Sequence, residues 1–340
     1  MLSYFDVVKA QFGGKDLLQV AQPFAVAIKT MEAELGGKIA TAHQVAAAEY
    51  DAFHGFFGCN LYGTGGLVAE AFVFDTDGSV FLVSQEYNPI LKNPYKAVEA
   101  HRDGKEFAVS DKEIALFRSV AKATGGRKAL ALERKKFMSD KLVPINNTYN
   151  IRMSRLAQSC EGQFLFGEDV ESFARKWHRH NGNYFTVLLP DSDYQKSQQK
   201  PFARPMYMKY HALDSICLHE NLNVWGIRPA QDLKKLGRDA EQSLLTISAA
   251  DYVKAQKVDL SEYVLQGIES YHKSDETQLA AFGAKVRLYE KARALGADVV
   301  VDVRPSGSEV FYHLLGTALI PKDKVVEAKK IISTPPQLYA

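Results

Sequence analysis

Histidines, cysteines, acidic pairs and a glycine-rich turn are the places where this chain could do chemistry. The densest histidine group is Trp177-His178-Arg179-His180. Neutral imidazoles bind divalent metals, and His178 and His180 would converge on one if their helix frayed near Asn181. In a regular helix residues i and i+2 point to different faces, unlike the i and i+4 histidines of a zinc metalloprotease. The bland alternative is a solvated helix end, where imidazolium meets the C-terminal dipole. A second group, His211, Cys217, His219 and Glu220, supplies further ligand types for a divalent ion. His219-Glu220 is not continued by a second histidine at metalloprotease spacing. His178, His180, His211 and His219 are therefore the candidate metal ligands, and a divalent metal is the cofactor they would hold.

Other constellations each fail a stated requirement. His54 and Cys59 could make an imidazole-activated thiolate, but no third orienting residue accompanies them. Gly63-Thr-Gly-Gly66 offers backbone N–H groups to an anion. It lacks the Lys-Ser/Thr of a P-loop and leads into a strand instead of a helix. Asp75-Thr-Asp77 and Asp191-Ser-Asp193 pair carboxylates where turns are expected. No catalytic residue and no dinucleotide site is assigned.

The elements that must position these residues read as follows. Two helices occupy residues 23–56, with Thr41 capping the second. Ala69–Ser84 is a hairpin reversing at Asp77-Gly78, whose residues tolerate positive φ. Pro94 opens a short helix, and Ser110 with Glu113 forms a capping box for the next. Gln163–Phe166, a helix from Glu168 to His180, and Tyr184–Leu189 suggest strand, helix and parallel strand. A strand over Met206–Leu213 and a helical connector over 229–243 follow. The clearest late pattern is a helix over 277–294, closed by Gly296, then strands at Val299–Val303 and Val310–Ile320.

Composition narrows the class. With 340 residues, 46% hydrophobic and 24% charged, the chain is long enough for two or three cores and far from a disordered composition. Forty-two Lys and Arg against forty Asp and Glu leave +2, too little for a long-range field that would gather phosphate. Local basic runs at Arg127, Lys128, Arg134, Lys135 and Lys136, and at Arg175, Lys176 and Arg179, keep nucleic acid as a partner that is not favoured. Cys59, Cys160 and Cys217 are widely spaced and odd in number, which fits a reducing, cytoplasmic setting. No leader pattern or apolar stretch of roughly 18 residues points to a membrane.

The stretch Ala292-Arg-Ala-Leu-Gly-Ala-Asp-Val-Val-Val-Asp-Val-Arg304, followed by Gly316-Thr-Ala-Leu-Ile320, resembles the YbjQ-like family assigned to heavy-metal binding. The resemblance lies in the C-terminal segment, about residues 245–321. It implies a small α/β domain that assembles into closed oligomers. His313 is the one histidine in the matched stretch and no Cys accompanies it, so the metal label does not carry over.

The expectation is an α/β or α+β protein of two to three domains, with mixed sheets packed by helices. These are 1–150 (helices plus a β-hairpin), 151–243 (strand, helix, strand and connector) and 244–340 (a small α/β oligomerisation domain). The expected function is a non-enzymatic binding or assembly protein that forms a homo-oligomer through self-association. The alternatives are a metal-dependent hydrolase built from distant histidines and a nucleic-acid-associated factor.

Overall fold

The computed structural model describes residues 7–51, 65–132, 148–181, 183–209, 212–216, 218, 222–273, 277–306 and 311–325. The fold is mixed α and β, with a large mixed sheet and a separate three-stranded sheet, each packed with helices. The chain divides into two compact units, Val8–Ala230 and a second that begins at Gln231. The boundary expected at residue 150 falls inside the first unit's sheet, which draws strands from both sides of it.

The first unit opens with a hairpin of β1 (Val8–Phe12) and β2 (Lys15–Gln22). Gly13 and Gly14 make its two-residue turn with φ of +48° and +71°, conformations that L side chains resist. Helix α1 (Phe24–Lys29), strand β3 (Lys38–Ile39) and helix α2 (Ala42–Asp51) follow. The predicted hairpin is present as β4 (Gly66–Phe74) and β5 (Val80–Val83), turning at Gly78 with φ of +91°. Helix α3 (Asp111–Ala123) starts on the expected capping box: Glu113 N–H donates to Ser110 Oγ, and Ser110 N–H donates to the Glu113 carboxylate. Its Ile114, Phe117 and Val120 are buried, with Phe117 packed on Phe81 at a centroid distance of 6.5 Å.

Strands β6 (Ala129–Leu132) and β7 (Thr148–Arg152) lead into helices α4 (Cys160–Phe166) and α5 (Val170–Asn181). A strand was expected at Gln163–Phe166, and the structure forms a helix there. Ser159 caps its start by accepting from Gly162 N–H, and Gly167 at φ +55° ends it. Those two signals are local and outweigh the apolar run. The parallel crossover expected from this segment is accordingly not formed.

The remaining strands are β8 (Tyr184–Leu188), β9 (Phe202–Lys209), β10 (Ala212–Ser215) and β11 (Leu222–Pro229). The sheet runs β1-β2-β11-β4-β9-β10-β8-β7, with β5 on β4 and β6 on β5. Strand β8 pairs antiparallel with β7 and parallel with β10. Phe72, Phe74, Phe166, Phe173, Phe185, Phe202 and Trp225 fill one core. Phe74 and Phe202 stack at 4.9 Å, and Phe166 meets Phe173 and Phe185 edge-on at 5.3 and 5.7 Å.

The second unit begins with helix α6 (Leu233–Ser243), as the polar connector predicts, and helix α7 (Ala249–Gln256). Strand β12 (Tyr263–Lys273), helix α8 (Thr277–Ala294), and strands β13 (Val299–Ser306) and β14 (Phe311–Pro321) complete it. The sheet order is β12-β14-β13, all antiparallel. Ala284, Leu288 and Ala292 of α8 pack on Ile268, Val300, Leu314 and Ala318. Gly296 closes α8 at φ +76°, as expected.

Strand β11 pairs with β2 along eight residues, and in that register Arg228 stands opposite Asp16. Arg228 Nε donates to Asp16 Oδ2 at 3.1 Å, and Arg228 Nη1 donates to the Leu35 carbonyl at 3.1 Å. Asp16 is 0% and Arg228 7% exposed, so breaking the pair strands a buried charge. Asp16→Asn is expected to lower the unfolding free energy by about 3 kcal/mol in urea titrations at neutral pH.

Candidate functional site

Most of the acidic pairs that the sequence offers are consumed by the fold. Arg118 Nη2 bridges Asp75 Oδ2 and Asp77 Oδ2, each at 2.6 Å. Burial opposes ionisation of Asp77, but the Ser79 N–H and the Arg118 charge outweigh it and hold Asp77 below its usual range. Asp191 caps a one-turn helix by accepting from Asp193 N–H at 2.7 Å. Both pairs are structural clamps at turns, and neither presents two facing carboxyl groups to a substrate.

Three ionisable groups on the large sheet, at two places, behave differently. The first is Glu70 on β4. The β4–β9 register slips between Pro205 and Tyr207, leaving Val68 to Glu70 outside the ladder. Their polar groups find other partners: Ala69 N–H donates to Ala40 O, and Asn88 Nδ2 donates to Ala69 O. Glu70 Oε2 accepts from Ala42 N–H at 2.9 Å, in the first turn of α2. Thr41 caps the same turn through Gln44 N–H, as its position predicts. Burial dominates the Glu70 carboxyl and pushes its pKa from 4.5 up to about 7, against the opposing N–H bonds.

The second is a cross-strand pair, Tyr207 on β9 and Asp214 on β10, directly opposite in register. Met208 and Leu213, their neighbours along the strands, belong to the core, so side-chain alternation puts Tyr207 and Asp214 on the other face. Both are half-buried, and among the described residues neither side chain has a hydrogen-bond partner. Burial raises the Asp214 pKa, which the Arg204 charge only partly offsets. Burial likewise raises the Tyr207 phenol, with the Asp214 charge adding to it.

Neighbouring groups fix this pair without satisfying it. Arg204 donates to both carboxylate oxygens of Glu106 and, through Nη1, to the Ser215 carbonyl at 3.3 Å. Its guanidinium also lies over the Tyr194 and Phe202 rings, 5.5 and 5.8 Å from their centroids. Tyr194 donates its hydroxyl to Glu106 at 2.6 Å. Gly65 lets the Tyr207 ring lie close: a Cβ there would sit 2.4 Å from the ring. At Gly66 a Cβ would meet Trp225 at 2.7 Å. These two glycines of the Gly-rich segment therefore serve close aromatic packing.

The candidate metal ligands lie largely outside the described structure. His178 and His180 lie on α5, whose helical backbone continues through Asn181. Their side chains, and His211, Cys217, His219 and Glu220, fall outside the described residues, as do His54 and Cys59. Among the described residues no group of three or more His, Cys, Asp or Glu could hold a metal ion. Of the basic runs, Lys128 is paired with Glu86 at 2.8 Å, and Arg134 to Lys136 lie outside the described residues. No described helix is long and apolar enough to cross a membrane. Tyr207 and Asp214 are not singled out by the sequence, which predicts one strand over Met206–Leu213; the structure divides that stretch between β9 and β10 and so sets the two residues opposite each other.

No family model and no curated protein matches this chain. A solved structure described as "Accommodation of massive sequence variation in Nanoarchaeota by the C-type lectin fold" is 13% identical, with a TM-score of 0.46. The match covers 65% of this chain and 99% of that one.

Glu70 gives a test of the electrostatics. Its folded pKa is raised, so its contribution is fully present below about 4.5 and is lost as pH rises through about 7. Between about pH 5 and about pH 8 the wild type should lose roughly 3 kcal/mol more than Glu70→Gln. Thermal or urea unfolding at the two pH values checks this; parallel pH profiles for the two proteins would refute it.

Proposed function

We propose that this is a non-enzymatic binding and assembly protein of the cytoplasm that works as a homo-oligomer. The observation that carries the binding role is the Tyr207–Asp214 pair. A half-buried carboxylate without a partner is costly, and a ligand that supplies a donor recovers that cost. The complement of a carboxylate beside a phenol ring is an ammonium group, which the charge attracts and the aromatic face accepts. Arg204 is engaged by Glu106 and the Ser215 carbonyl, so it serves to hold the strands. The assembly role rests on the second unit, whose C-terminal sequence, about residues 245–321, resembles an oligomer-forming family.

Saturation-transfer NMR with n-butylamine and with butyrate tests the binding face. The amine is expected to give a signal that Asp214→Asn reduces at least tenfold, and butyrate none. Equal signals from both, or an amine signal unchanged in Asp214→Asn, would rule out this site. Native mass spectrometry with metal analysis tests the rest: the expected species is a multiple of the 37.9 kDa chain without stoichiometric metal. Stoichiometric zinc or manganese that disappears in His211→Ala would favour a metal-dependent hydrolase.

A further inference from the structure

The three-stranded sheet of the second unit has two edges, and the fold treats them differently. The β13 edge is covered by its own chain: Leu245 N–H donates to Val300 O, Asp302 N–H to Ile247 O, and Val303 N–H to Leu245 O. Strand β12, eleven residues long, lies at the other edge. In an antiparallel ladder the N–H and C=O of one residue point to the same side, and the side alternates along the strand. Lys322 N–H donates to the Glu262 carbonyl, so even-numbered residues of this segment face β14. Odd-numbered residues face outward.

The outward groups fall into two halves. At the C-terminal half, Lys291 Nζ donates to Glu269 O and Arg287 Nη1 to Tyr271 O, each at 3.0 Å. Cationic side chains over an edge are a common protection against strand addition. The N-terminal half has no such cover among the described residues. Tyr263 N–H donates to Leu260 O, but no described residue bonds the Tyr263 carbonyl or the N–H and C=O of Leu265 and Gly267. Val264 and Leu265 are 36% and 48% exposed, which adds apolar surface to the open backbone. An apolar, unprotected edge is a template for another strand.

We propose that β12 pairs antiparallel with β12 of a second copy, about a two-fold axis at Leu265, joining two three-stranded sheets into one. The inference rests on the homo-oligomer reading and names its contact surface. In this register the Leu265 N–H and C=O of the two copies bond each other. Gly267 N–H donates to the second copy's Tyr263 carbonyl, and the converse bond forms by symmetry. Leu265 faces Leu265 across the axis, and Tyr263 faces Gly267, where an added Cβ would meet nothing within 4 Å and an aromatic ring has room.

Charge selects a second copy over an arbitrary strand. Exposed Asp259 and Glu262 precede the open half, whereas Arg287 and Lys291 guard the half that follows. Antiparallel self-pairing carries the acidic end of each copy toward the basic end of the other, twice. Parallel pairing would set like charge beside like. The Glu269 carboxylate is itself turned to His313 Nε2 at 3.2 Å, which leaves Lys291 and Arg287 as the cations that meet the incoming acids. A two-fold contact of this kind closes on itself and adds no further free edge.

Sedimentation velocity on the full chain at about 100 µM, well above a micromolar dissociation constant, tests the proposal. The wild type should sediment as a dimer or a multiple of it. Leu265→Lys sets two ammonium groups together on the axis and should weaken association at least tenfold with an unchanged circular dichroism spectrum. Tyr95→Ser, also exposed but in the first unit, should leave the mass unchanged. An oligomer that persists in Leu265→Lys overturns the β12 contact while leaving the homo-oligomer reading in place. A wild-type monomer overturns both.

Discussion

The buried ion pair between Asp16 and Arg228 joins residues 212 positions apart and closes the first unit. It sits in the β2–β11 ladder and holds the last strand of the unit beside the opening hairpin. Loop closure over that length is entropically costly, and contacts of such separation form late. Once β11 is in place beside β4, Trp225 comes against Gly66, and the neighbouring Gly65 admits Tyr207. The candidate ligand face thus depends on a salt bridge that never touches it.

The same economy governs the charged residues. Carboxylates close in sequence look like acid–base pairs, yet a folded chain must match or solvate each charge it buries. Asp75, Asp77 and Asp191 meet that demand with an arginine or a helix N-terminus, and Glu106 meets it with Arg204 and Tyr194. Glu70 meets it by burial close to a proton, with a pKa near neutrality. Among the described residues Asp214 has charge nearby but no hydrogen bond, and the proposed binding face rests on that unmet demand.

The second unit shows the corresponding rule for backbone groups. One sheet edge is covered by the segment that leads into it, and half of the other is covered by Lys291 and Arg287. Satisfying backbone groups from side chains works where a helix runs alongside, as α8 does for Glu269 and Tyr271. Beyond the reach of those two side chains, no described residue bonds the outward backbone groups from the Tyr263 carbonyl to Gly267.

The sequence by itself determined the local punctuation. The turn at Asp77-Gly78, the Ser110–Glu113 capping box, and the α8 helix closed by Gly296 follow from a few neighbouring residues whose φ preferences and side-chain reach act within one turn. The β1–β2 hairpin at Gly13-Gly14 is not among the expected elements, and the helix between Ser159 and Gly167 replaces an expected strand, although both carry local signals of the same kind. The mixed α and β class and a helix-plus-sheet C-terminal unit followed from such signals. Only the tertiary structure decided which strands share a sheet, that Glu70 is buried, that Tyr207 and Asp214 share one face with no hydrogen-bond partner among the described residues, and that β12 is an edge. Burial and partnership are set by residues far apart in the chain, and no local spacing encodes them.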